Sequence, residues 1–312
     1  SNDYVDGCLT FLRNTERWET LAVGLYLSTE VLKNHTKSSS IYFDGPRVPS
    51  TTAVEEVTLD LTLPHELLLT LACALLESSS ENLEHKEPRI RTLVAKSIGS
   101  VIALQDESLR DATRALHDSI LGSLYAHLEA GRDTNSKSYS KSSTGAFDDT
   151  TGWRALETNW QGLAAFVAAT GPTYYDHYSL TENLLEACEY SCITHVNRHV
   201  RAAGIAVLEQ WINSCSTNET HSQLILDPGS SLRRIVVKVL KVSLADNWSQ
   251  VRMAGSVLCR VLWQCLLQFP LEDRHVESLY PILIPRMCLN RFYLAQGVKL
   301  FSHETWIILF GQ

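Results

Sequence analysis

Apolar residues recur along this chain at steps of three and four, the period of a helix with one buried face. From Pro88 to Leu104 a single stripe runs through Ile90, Leu93, Val94, Ile98 and Val101, and a second spans 107–129 through Leu109, Leu116, Ile120, Leu124 and Leu128. The pattern is clearest at Asp246–Leu258. There Asp246 or Asn247 is placed to cap the first-turn N–H groups, and Val251, Ala254, Val257, Leu258 and Val261 follow on one face. Read this way, the chain predicts helices over 3–13, 16–33, 53–62, 65–77, 88–104 and 107–129. Further helices are expected over 152–170, 179–192, 196–213, 230–244, 248–268, 271–288 (broken at Pro281 or Pro285) and 290–310. No alternating pattern with hairpin turns competes, so the fold class is all-α.

Polar stretches separate the helices at 36–52, 78–87, 213–222 and 227–230. Residues 131–151 depart most, being rich in Ser and Thr and almost free of apolar side chains. A loop of that length is uncommon inside a compact domain. It reads as a mobile segment open to phosphorylation, or as a tolerated surface insertion. The expected organisation is an acidic, irregular set of helical repeats over 1–130, the mobile loop, and a more regular set over 152–312.

The regularity is a repeat. Trp248 leads to Val251 and Ala254, Trp18 to Leu21 and Gly24, and Trp160 to Leu163 and Phe166. Val200-Arg201, Val251-Arg252 and Ile90-Arg91 share an apolar–Arg pair, and the first two lie 51 residues apart. Spacings of this size with two helices per unit describe stacked helix pairs. One pair cannot bury its apolar face alone, so pairs stack into a continuous core.

On these residues the chain resembles the HEAT and armadillo repeat proteins. In the HEAT pattern an Asp precedes a Val-Arg pair by five residues, as Asp246 precedes Val251-Arg252, whereas His195 and His85 fill that position before Val200 and Ile90. The resemblance implies a right-handed α-solenoid of about seven antiparallel helix pairs, closer over 152–312 than over 1–130. It also implies a structural role for Arg201 and Arg252, each tying neighbouring repeats through the Asp. Trp160, Trp248 and Val251 are read as packing residues of the same joint. Tubulin-binding HEAT arrays place a Trp in a loop between paired helices, and Trp18 in Arg17-Trp18-Glu19 has a similar setting.

Charge narrows the partner. The net charge is −8, and residues 1–150 hold 14 Lys/Arg against 22 Asp/Glu, while the remainder balances at 13 and 13. Nucleic-acid binding needs basic surface to displace counterions, so it is disfavoured. Within the neutral half, Arg234, Lys238 and Lys241 share one helix face. That stripe is either the solvated side of an amphipathic helix or a contact for an acidic partner. The longest apolar stretch, Leu59–Leu76, is interrupted by Asp60, Pro64, His65 and Glu66, so no membrane span is expected. The start Ser1-Asn2 reads as a processed or engineered end. Eight scattered cysteines sit mostly in apolar patterns, which favours free thiols in a reducing, cytoplasmic or nuclear setting. The sequons at Asn34, Asn218 and Asn247 are read as chance matches.

Chemistry is sparse. Cys188, Cys192, His195 and His199 are metal-ligand types at helical steps. An unbroken helix would spread them over about 16 Å, too far for one tetrahedral ion. The expected reading is core cysteines and helix-start histidines, with no metal. There is no Gly-rich phosphate loop, Gly-x-Ser-x-Gly elbow or His-Glu-x-x-His helix. The expected function is therefore a non-catalytic protein–protein scaffold or adaptor, without cofactor. A tubulin-binding or transport-receptor array is the alternative, and a nucleic-acid-binding enzyme like the HEAT-like alkylation-repair glycosylases is the rival from another class. The apolar end Thr305–Phe310 is unusual for the terminus of a stack, and implies truncation, oligomerisation or a bound partner there.

Overall fold

The computed structural model describes residues 2–14, 16–36, 63–137, 152–216, 219–270 and 275–311. All regular structure among them is helical. The expected helix over 53–62 and the sequon at Asn218 lie outside the described residues. So does the part of the expected mobile loop from 138 to 151.

Two compact units emerge, Ser1–His127 with Arg154–Thr170, and Leu128–Trp153 with Gly171–Gln312. The first holds α1 (Asn2–Arg13), α2 (Trp18–His35), α3 (His65–Glu81), α4 (Pro88–Ile102), most of α5 (Arg110–Lys137) and nearly all of α6 (Trp153–Thr170). α1 lies antiparallel on α2, and their closest approach is at Gly24. A Cβ there would sit 2.8 Å from the backbone nitrogen of Leu12, which is the physical reason for a glycine inside this helix. α4 runs parallel to α2, with Thr29 and Ser97 sharing a buried hydrogen bond of 2.9 Å. α6 runs parallel to α4, and its Trp160, Leu163 and Phe166 are buried against the same core. α5 pairs with α6 through Asn159 Nδ2, which donates to Ser123 Oγ at 2.8 Å. Its helix continues to Lys137, so the first seven residues of the expected 131–151 loop are helical instead.

The second unit is more regular. After the short α7 (Tyr174–His177) come α8 (Glu182–Ile193), α9 (Arg198–Ser216), α10 (Glu219–Leu226), α11 (Ser231–Ser243), α12 (Ser249–Leu266), α13 (Tyr280–Asn290) and α14 (Gln296–Phe310). α8 packs on α9, α11 on α12 and α13 on α14. In turn α8, α11 and α13 contact one another in order, as do α9, α12 and α14. Partners keep a nearly constant sequence offset. Ser231 meets Glu182 and Lys238 meets Glu189, both 49 residues apart; Gln250 meets His199 at 51. Ser302 meets Ser256 at 46 and Glu304 meets Arg260 at 44. Equal offsets in two contacts along one helix mean the two helices run parallel, one element repeating beside its predecessor.

Three expectations differ. α10 forms where a polar loop over 213–222 was expected, because Leu224, Ile225 and Leu226 at its end turn inward, the last two fully covered. Of the expected 271–288 helix, 271–274 lie outside the described residues, 275–279 are non-helical, and α13 starts at Tyr280 with Pro281 in its first turn, where a missing N–H costs nothing. It then passes through Pro285 without breaking.

Candidate functional site

The second unit's pairs are joined by turns at 194–197, 245–248 and 291–295. Their construction explains the repeat motif. Asp246 Oδ1 accepts the N–H of Trp248 at 2.8 Å, closing the turn before α12. His195 Nδ1 accepts the N–H of Asn197 at 3.1 Å in the turn before α9. His85 Nδ1 takes that of Glu87 at 3.0 Å before α4, and Asp227 Oδ1 that of Gly229 at 2.8 Å before α11. Imidazole and carboxylate thus perform one task, accepting from the residue two ahead. A neutral imidazole with its proton on Nε2 is required for it. Burial, helped by the charge of Arg201, holds His195 below the ordinary histidine range and so favours that form.

Six residues after each acceptor stands an arginine: Arg91, Arg201, Arg233 and Arg252. Arg201 Nη1 donates to the carbonyls of His195 and Val196, both at 2.9 Å, and Nη2 reaches Asp246 Oδ1 at 3.3 Å. Arg252 Nε donates to the carbonyl of Asp246 at 2.9 Å, and Nη1 reaches Asn290 Oδ1 at 3.4 Å. Asn290 in turn donates to the carbonyl of Leu244 at 3.0 Å. Each guanidinium therefore satisfies its own turn and clamps the next. In the first unit Arg91 does the same, donating to His85 O at 2.9 Å and to Glu157 Oε2 at 2.7 Å. Arg233 donates to Ile225 O at 2.7 Å and to His275 O at 3.3 Å. It is buried, apart from the stripe that follows it in sequence.

Clamped in this way, the three turns of the second unit form one edge. The Arg198 guanidinium lies over the Trp248 ring at 4.3 Å, and that of Arg252 over Tyr293 at 4.2 Å. Apolar side chains remain at the edge: Val196, Trp248 at 48% exposure, Phe292 at 81% and Leu294 at 100%. Arg291 stands beside Phe292 and packs over Trp306 at 4.3 Å. Exposed aromatic, aliphatic and cationic groups are thus gathered at this edge, and no single feature of the sequence announces it. Phe292 and Leu294 read as helix positions until the turn before α14 is seen.

The sequence-predicted residues fall in different places. Trp18 opens α2 and is half-buried, with Arg89 over its ring at 4.1 Å. Trp248 is the exposed N-cap of α12. Trp160, aligned with them by its spacing, lies instead in the middle of α6 and is fully buried. Val251 is fully buried under the α12 start. Arg234, Lys238 and Lys241 are exposed on α11, but α8 beside them carries Glu182, Glu186 and Glu189 at matching steps. Lys238 pairs with Glu189 and Arg234 Nη2 donates to Ser231 Oγ at 2.9 Å. The charge of Lys238, at the middle of the stripe, is thus matched within the chain. Cys188 and Cys192 face each other with sulfurs 3.9 Å apart inside the core, where Cys188 also donates to the carbonyl of Gly204. The His195 ring is engaged in the turn and the His199 ring stacks on Trp153 at 5.7 Å, so the four are not gathered round a point. No cluster of three metal-ligating side chains is found among the described residues.

A shallow groove of about 430 Å³ runs between α9, α12 and α14, lined by Asn213, Val261, Gln264, Cys265, Gln268 and Ile308. Burial pushes the Cys265 thiol up to about 12, which leaves it un-ionised at neutral pH. Farther along the same helices Arg260 pairs with Glu304, and Glu209 is raised to about 7 by burial, the charge of Arg260 pulling the other way. Glu209 keeps part of its surface exposed, yet the packed helices around it exclude most of the water. α14 turns Val298, Phe301, Ser302 and Thr305 inward and leaves Ile307 and Phe310 half-exposed. No described helix is long and apolar enough to cross a membrane. In comparisons with known proteins, no family model, curated sequence or solved structure matches this chain.

Proposed function

We propose that the chain is an α-solenoid of stacked antiparallel helix pairs, in the manner of HEAT and armadillo repeats, that works as a non-catalytic protein–protein scaffold or adaptor. The observation that carries this reading is the recurrent joint. A turn acceptor, an arginine six residues on, and a clamp onto the following turn occur at Arg201 and Arg252, with close variants at Arg91 and Arg233. Constant offsets of 44 to 51 residues between partner helices support it. A stack of this kind gains extended surface with each pair and needs no catalytic centre. The groove between α9, α12 and α14 supports the same reading, since its lining offers amides, apolar groups and an un-ionised thiol rather than an acid–base pair.

The test is affinity capture with the full chain, followed by reconstitution with each captured protein in purified form. A direct, saturable complex is the expected result. Failure of every reconstitution, together with turnover in a screen of hydrolase and glycosylase substrates, would overturn the proposal.

A further inference from the structure

Resting on that scaffold reading, we infer that the turn edge of the second unit, built by Val196, Arg198, Trp248, Arg291, Phe292 and Leu294, docks an acidic, extended segment of a partner protein that carries large apolar side chains at about every third position. Charge selects the sign. The three turns and the first helical turns after them, 194–201, 245–252 and 291–299, hold Lys299, four arginines, of which Arg201 and Arg252 clamp the turns, and a single acid, Asp246. That acid is already taken by Arg201 and by the N–H of Trp248. A cationic edge on a chain of net charge −8 draws an anionic partner to this place and repels it from the acidic surfaces elsewhere.

The apolar groups select a peptide rather than a nucleic acid. Arginine stacked on an aromatic ring serves either ligand. A base could stack on Phe292, but exposed Val196 and Leu294 are aliphatic and flank it, and they match the aliphatic side chains of a peptide better than flat bases on a charged backbone. Spacing sets the form. Neighbouring packed helices stand about 8–10 Å apart, so successive turns recur at roughly that interval. A polyproline-type chain advances about 3.1 Å per residue with three residues per turn. Every third side chain therefore faces the edge about 9 Å after the last, and a segment of roughly seven residues reaches all three turns.

The probe is a fluorescently labelled synthetic peptide with Leu at every third position and Glu or Asp between, titrated with the full chain and read by anisotropy. A peptide with Lys for each acid and a single-stranded oligonucleotide are the comparisons. The acidic peptide binds, more weakly as ionic strength rises, and the Lys peptide does not. Two double variants, Arg198→Glu with Arg291→Glu and Phe292→Ser with Leu294→Ser, each weaken it at least about tenfold while keeping the helical circular dichroism and thermal midpoint. Lys238→Glu with Lys241→Glu leaves it unchanged. The inference is overturned if the acidic peptide fails to bind, if the Lys peptide binds equally, or if the oligonucleotide binds and loses affinity with the same variants. It is equally overturned if light scattering shows a dimer that Phe292→Ser with Leu294→Ser dissociates, for then a second copy covers the edge. If a reconstituted partner binds undiminished to both edge variants, the scaffold reading stands and this inference alone falls.

Discussion

At the scale of the residue, two titrating groups make opposite demands on the fold. Glu209 is raised to about 7, chiefly by burial, whereas a glutamate in the unfolded chain titrates near 4.3. Between those values the folded state holds the extra proton, so stability falls as pH rises through the window. Glu209→Gln should flatten that slope and raise the thermal midpoint at pH 8 relative to the unsubstituted protein; an unchanged pH profile would contradict the assignment. His195 is shifted the other way, lowered by burial and by Arg201. The unfolded chain takes up the imidazole proton first as pH drops past about 6.5, so stability declines on acidification. Because Asp246 performs the same task with a carboxylate, His195→Asp should keep the turn, gain attraction to Arg201 and lose this share of the acid sensitivity. Melting curves between pH 5 and 8 would show it as a smaller fall in midpoint at the acidic end.

The helix pair is the next scale, and its tightest contact is a glycine. In α12 a Cβ on Gly255 would stand 2.4 Å from Ser243 Oγ and 2.9 Å from its Cβ on α11. Gly255→Ala should therefore destabilise by about 1–3 kcal/mol, the usual cost of overpacking, in urea denaturation. Much of this architecture was legible from the sequence. The helical periodicity was strong because one face of most helices is dry, and the apolar–Arg pair marked the joint because its arginine is bonded to the same turn positions each time. Other features were hidden. His85 and His195 looked like departures from an Asp position, since a one-letter pattern does not reveal that Nδ1 and a carboxylate oxygen accept the same N–H. The clamp made by Arg233 was hidden too, because a Leu-Arg-Arg sequence does not say which carbonyls a buried arginine will meet. The edge itself depends on the turn between α13 and α14, and apolar Phe292 and Leu294 resembled helix core.

At the scale of the whole molecule, the proposed stacking of pairs would have each share stability with its neighbours. Removing one clamp should then loosen the adjoining pairs more than distant ones. Arg201→Ala strands the carbonyls of His195 and Val196 and leaves Asp246 without its cation, at a cost of about 3–5 kcal/mol if the pair behaves as a buried one. Lys238→Ala, at an exposed pair, should change stability by no more than about 0.5 kcal/mol. Hydrogen exchange would locate the loss: amides of α8, α9, α11 and α12 should exchange faster in Arg201→Ala, while those of α1 to α4 keep their protection. Uniform acceleration would mean a single cooperative block instead.

The clamps also limit how anything can be recognised at the edge. The carbonyls of His195, Val196 and Asp246 are taken by guanidinium groups, and the N–H groups of Asn197, His199 and Trp248 by side chains. With these groups of the first two turns already bonded, that part of the edge has little main chain to offer a partner's backbone. Strand-like pairing, which accepts almost any extended sequence, finds few open groups there. A ligand at those turns is read mainly by its side chains, so the vocabulary it answers to is one of charge, shape and interval. A partner can change every residue between its anchors, provided the acids remain and the step is kept.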